Sequence, residues 1–173
     1  MHRHLTLSFY FLILPLVFSC GSADMLNEGS GNEPQAERGM TQAVSQDFIT
    51  AVETINQNGE ITSEFATEQV GIRVRVKNTS SEPKTLLFND GRRARVEILQ
   101  DHSLVWSNDD MMSIQVISEE SLGPDQEMSV VIPWNQLTLE GRVAGRGIYR
   151  VRVSEVRARP TVPVPPMLEF EVR

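Results

Sequence analysis

The chain has 173 residues, 16 basic against 23 acidic, a formal charge of −7, one cysteine and three histidines. A single cysteine permits no internal disulfide and no zinc site built on several thiolates, and the acidic balance argues against binding nucleic acid through its phosphates. With 40% hydrophobic and 6% aromatic residues, the composition is that of one globular domain, not of a disordered acidic tail.

The first element is a leader. Met1–Phe18 opens with Arg3 and runs into an apolar stretch from Leu5 to Phe18. As a helix that stretch spans about 21 Å at ~1.5 Å per residue, short of the ~30 Å hydrocarbon core, and Pro15 weakens it near its end. The pattern is that of a secretory signal over residues 1–19, and His2 and His4 leave with it. Val17-Phe18-Ser19-Cys20-Gly21 resembles the lipobox of bacterial lipoproteins. The resemblance implies that Cys20 becomes an acylated first residue, with a lipid bilayer as its partner; a free cysteine behind an ordinary signal is the competing reading. Gly21 stands where Asp would mark inner-membrane retention, which points to the cell envelope on the outer-membrane or periplasmic side. Residues 20–46 are dominated by Gly, Ser, Asn, Glu and Gln, carry no lasting apolar period and read as a flexible tether.

Residues 47–173 read as strands. Val70, Ile72, Val74 and Val76 alternate with Gly71, Arg73, Arg75 and Lys77, an aliphatic face backed by a cationic one. Similar runs are Phe48 to Ile55, Ala94-Val96-Ile98, Met128-Val130-Ile132, Tyr149-Val151-Val153 and Leu168-Phe170-Val172. Asn89-Asp90-Gly91 predicts a tight hairpin. Further turns fall at 78–83, 100–103 and 123–125. No helical period exceeds two turns. Seven to eight short strands predict an immunoglobulin-like antiparallel β-sandwich. Tyr149, two residues before Val151, is placed either as a tyrosine corner or as a plain core residue.

Catalytic constellations are weak. His102 is the one imidazole left after the leader, and it sits in an Asp101-His102-Ser103 turn whose adjacent residues do not assemble a triad. Asp109-Asp110 and Glu119-Glu120 are sequence neighbours, which in a strand point to opposite faces. Asn108, Asp109 and Asp110 supply hard oxygens for calcium without the required spacing. Gly141 to Gly147 lacks the strand–helix context of a phosphate loop and reads as a long β-loop. No enzyme, metal or cofactor is called for.

The segment Leu87 to Ile98, the turn to Leu104-Val105-Trp106-Ser107, the strand ending Val76-Lys77-Asn78-Thr79-Ser80, and Trp134-Asn135-Gln136 with Gly141 and Gly145-Arg146-Gly147-Ile148-Tyr149 are similar, in order and spacing, to the BsuPI-type intracellular proteinase inhibitor family. The resemblance implies a protein-binding sandwich and, as its specific version, inhibition of a serine protease. An envelope structural or assembly accessory is the alternative.

Loops are where a sandwich binds. If every connection reverses direction, one end gathers 89–91, 107–112 and 134–146, and the other gathers 78–83, 101–102, 122–126 and 159–166. Pro160, Thr161, Val162, Pro163, Val164 and Pro165 form a stiff segment: either a pre-ordered contact for a protease or the closure of the last hairpin. Trp106, Met111, Met112 and Trp134 are either core or an exposed apolar patch.

Overall fold

The computed structural model describes residues 39–112 and 114–173. The expected leader and Cys20 lie outside the described residues. Three sheets, nearly all antiparallel, build the domain. The first runs β1 (Met40–Val44), β2 (Phe48–Ile55), β4 (Val70–Asn78) and β9 (Glu127–Trp134), in the order β1-β2-β4-β9. The second is ordered β3 (Glu64–Phe65), β12 (Leu168–Val172), β10 (Gly147–Val156), β6 (Ala94–Gln100) and β7 (Ser103–Ser107). A small third sheet is ordered β11 (Ala158–Arg159), β5 (Lys84–Phe88) and β8 (Ser118–Leu122). The one parallel pair is β3 with β12. A single 3-10 turn at Asn108–Asp110 is the helical element among the described residues.

One continuous apolar cluster lies between the sheets. Val70, Ile72, Val74 and Val76 of β4 face inward with at most 1% exposure, as their alternation requires. Each such aliphatic contributes about 1.5–3 kcal/mol of burial. Opposite them lie Val96 and Ile98 of β6, Tyr149, Val151 and Val153 of β10, and Leu168, Phe170 and Val172 of β12. Trp134, Tyr149, Phe170 and Phe65 form an aromatic group with ring centroids 5.5–6.0 Å apart. Such pairs add to plain area burial.

The outer face of the first sheet is polar and closely packed. Glu53 of β2 has a fully buried side chain, and its carboxylate accepts from Arg73 Nε at 2.6 Å and from Arg75 on the neighbouring strand. Burying a carboxylate is tolerable only with such partners. Beside it, Ile55 lies over Gly71, where an added Cβ would meet Ile55 Cγ1 at 2.6 Å.

The six alternating runs of the sequence become β2, β4, β6, β9, β10 and β12. Three expectations are corrected. Met40–Val44 falls in the stretch read as tether but pairs along its whole length with β2, so the folded part starts before residue 47; its MTQAV sequence carries too few apolar residues to signal a strand. Asn89-Asp90-Gly91 does not close a hairpin, because β5 pairs with β8 and β11 whereas β6 pairs with β10 and β7. Asp90 instead accepts from Arg92 N–H and pairs with Arg157 at 2.6 Å, turning the chain from one sheet to another. The tight hairpin lies at Asp101-His102, with φ of 46° and 67°, between β6 and β7. The loop sorting changes for the same reason. Residues 89–91 do meet the segment after β7, through Gly91 N–H to Ile114 O at 3.1 Å. The 134–146 loop lies elsewhere, with Leu139 N–H on Val105 O at 2.8 Å. Strict reversal fails once β5 leaves the two main sheets.

Candidate functional site

Buried polar side chains fix the loops, and each uses its hydrogen bonds locally. Asn78, fully buried at the end of β4, donates through Nδ2 to Glu82 O and Leu122 O at 2.8 and 2.9 Å, while its Oδ1 accepts from Ser80. It ties the 78–83 turn to the 122–126 turn, which the sequence placed at one end. Asn108 accepts from Val96 N–H and donates to Ala94 O, both at 2.9 Å, continuing the ladder of β6 with a side chain. Asp109 is paired with Arg95 at 2.5 Å. The Asn108 and Asp109 oxygens considered for calcium are therefore committed to backbone and arginine. Arg95 also joins Glu97, which pairs with Arg152, so charge runs across the sheet as a chain of alternating partners.

His102 is exposed at the tip of its hairpin, and among the described residues no acid or nucleophile is bonded to it. Glu120 pairs with Arg93 at 3.0 Å, while Glu119 is exposed beside it on β8. Trp134 is core and Trp106 packs against it half-buried, whereas Met111 and Met112 are exposed. Both readings of that group hold, for different members. Exposure continues through Ile114, Val116 and Ile117, apolar residues that the sequence reading did not single out. An open groove of about 480 Å³ lies between β1 and β12, floored by Met40, Leu168 and Phe170. The acids at its rim are already paired, Glu169 with Arg150 and Glu64 with Arg173.

The proline-rich segment is half sunk into the fold. Val162 and Pro165 are buried, Val162 within the core cluster, and Thr41 Oγ1 donates to Pro166 O at 2.8 Å. Pro160, Thr161 and Val164 remain exposed. The segment is thus both the crossing to β12 and a shallow surface.

A sharper surface is the β9–β10 loop. Trp134 Nε1–H donates to Leu137 O at 2.8 Å, and Gln136, at a φ of 59°, donates to Ala66 O and Glu68 O at 3.0 and 2.6 Å. Tyr149 O–H donates to Gly145 O at 2.6 Å, which is the tyrosine corner itself. Burial pushes the Tyr149 phenol above its ordinary pKa, against the opposing hydrogen bond of Gln100. Within the loop, Thr138 N–H meets Arg142 O at 2.8 Å and Leu137 bridges Val143, closing a small hairpin. Thr138 Oγ1 donates to Glu140 Oε2 at 2.9 Å, and this holds the exposed Glu140 carboxyl below the usual glutamate range.

Residues 57–159, more than half of the chain, match the family model "BsuPI: Intracellular proteinase inhibitor". The chain belongs to this family. The matched span begins in the turn after β2 and ends with β11, so it includes both the Asn78 turn and the tyrosine-corner loop. No curated protein matches the sequence. Among solved structures, the β-glucosidase from Listeria innocua is 16% identical over 71% of this chain at a TM-score of 0.37, and this chain covers 16% of its length. The CARDB domain of a Pyrococcus furiosus protein, in complex with di-metal ions, is 17% identical over 70% of this chain and 84% of that one, at a TM-score of 0.36. Likeness at this level carries no functional statement. Among the described residues, no helix is long and apolar enough to cross a membrane, and no cluster of three or more metal-ligating side chains occurs.

Proposed function

We propose that this chain is a lipid-anchored protein of the cell envelope whose sandwich, without catalysis of its own, binds and inhibits a serine protease. The family match over residues 57–159 carries the reading. A rigid sandwich with pre-ordered loops supports it, because loops fixed before binding lose little freedom on contact. Cys20 attaches the chain to the bilayer, on the outer-membrane or periplasmic side.

Two measurements test the reading. A Cys20→Ser chain, titrated against a panel of serine proteases, is expected to abolish the activity of at least one; no inhibition at large molar excess overturns the inhibitor role. In fractionated cells, the unsubstituted chain is expected with the membranes and to take up lipid label, and Cys20→Ser in the soluble fraction. Membrane association that survives the substitution overturns the anchor. The exposed side chains of Met111, Met112, Ile114, Val116 and Ile117 favour a second reading, an envelope assembly accessory, since apolar surface of that kind marks protein contacts.

A further inference from the structure

The β9–β10 loop is fastened from beneath and bare above. Its base is held by Trp134, Gln136 and Tyr149, each buried and each donating to a backbone carbonyl. Two further bonds, Ala144 N–H to Gln136 O at 2.7 Å and Gly141 N–H to Thr138 O at 2.9 Å, fix the path of the chain. Above this base the side chains project into solvent. Val143 is 78% exposed and Leu139 45%, and the Arg142 side chain is 79% exposed.

Charge is unusual here as well. Most cations of the described surface are held by carboxylates. Arg146, three residues beyond the tip and exposed, has no acidic partner among the described residues. Arg142 is held by nothing firmer than Glu140, 3.6 Å away and itself largely exposed, and a pair so exposed to water is weak. The same Glu140 oxygen also accepts from the Thr138 hydroxyl at 2.9 Å, so Arg142 shares it. The tip therefore offers an exposed, weakly held guanidinium flanked by aliphatic side chains on a backbone that needs no ordering. Arginine, with Trp and Tyr, is enriched where interfaces concentrate their energy, and its planar fork matches a carboxylate.

We propose that the 137–146 hairpin is the element that meets the protease, with Arg142 entering the acidic specificity pocket of an arginine-cleaving serine protease and Leu139 and Val143 resting on its rim. This rests on the inhibitor reading above and names its contact surface and target class. The backbone geometry adds a property. Arg142 O accepts from Thr138 N–H at 2.8 Å, so turning the Arg142–Val143 carbonyl into an oxyanion hole requires the hairpin to give up that bond. The hairpin occupies the cleft without being cut there.

The test uses the full Cys20→Ser chain against trypsin, as the arginine-cleaving probe, and subtilisin, which lacks an acidic specificity pocket. Inhibition of trypsin is expected, competitive with benzamidine, and weakened about a hundredfold by Arg142→Ala, the scale of an interface hot spot. Arg142→Lys is expected to retain most of it. Circular dichroism checks that these exposed substitutions leave the fold intact, and mass spectrometry is expected to show the Arg142–Val143 bond uncut after prolonged incubation. Trypsin inhibition that survives Arg142→Ala, ignores benzamidine or proceeds with cleavage at Arg142 overturns the inference and leaves the inhibitor reading standing. Inhibition of subtilisin alone does the same. Inhibition of neither these two nor the wider panel overturns both.

Discussion

A phenol buried among aromatic rings must find an acceptor for its proton, and Tyr149 finds the carbonyl of Gly145. Replacing it by Phe keeps the ring contacts with Trp134 and Phe170 and removes that bond together with the one from Gln100. We expect Tyr149→Phe to lose about 1 kcal/mol of stability, read in urea as a lower midpoint at unchanged slope. Glu140 supplies a second measurement at this scale. Its folded-state pKa is depressed, first by the hydroxyl of Thr138, so the clasp is fully made above the ordinary glutamate range and is lost as pH falls through the lowered value. A carboxyl titration by NMR is expected to place Glu140 below other exposed glutamates, and Thr138→Val to return it towards them. The position of Tyr149 was legible in the sequence, since glycine, tyrosine and an inward valine follow in the right order. The roles of Asn78, Asn108 and Gln136 were not. A polar side chain advertises its capacity to bond but not its partner, and these partners lie up to 70 residues away.

At the scale of elements, alternation was the reliable signal because one buried face forces period two. It failed where burial on one face is not the governing rule. β1 is an edge strand with little to bury, whereas β2, buried on both faces with Glu53 included, was still found at Phe48 to Ile55. The Asp-Gly pair failed as a hairpin signal because Asp90 had a stronger use in pairing with Arg157. Close packing on the outer face of the first sheet yields a prediction. Gly71→Ala is expected to cost about 1–3 kcal/mol through its clash with Ile55 Cγ1. In an Ile55→Ala background, which removes that atom, most of this cost should vanish, and a double-mutant cycle in urea reads the difference. The exposed hairpin at 137–144 was visible only as a long loop. Its fastening depends on a non-glycine residue at positive φ, Gln136, which no sequence pattern announces.

For the molecule as a whole, the core is one cluster shared by three sheets, and its aromatic centre draws on β3, β9, β10 and β12 together. The sandwich class was legible because it follows from summed periodicity and turn spacing, whereas the third sheet, which breaks the simple reversal of loops, depends on pairings between short strands with weak patterns. Deleting residues 168–173 removes Leu168, Phe170 and Val172, all buried, from between β3 and β10. We expect that chain to show no cooperative unfolding transition and no dispersed amide spectrum, because three inward side chains at about 1.5–3 kcal/mol each rival the whole stability of a typical domain.

The place of β12 also sets a timetable. Its partners are Glu64–Phe65 and Gly147–Val151, so the ring of Phe170 reaches Phe65 only after more than a hundred intervening residues have been made. Contacts this distant along the chain close slowly and last. During synthesis, therefore, this interior is finished only once β12 has left the ribosome.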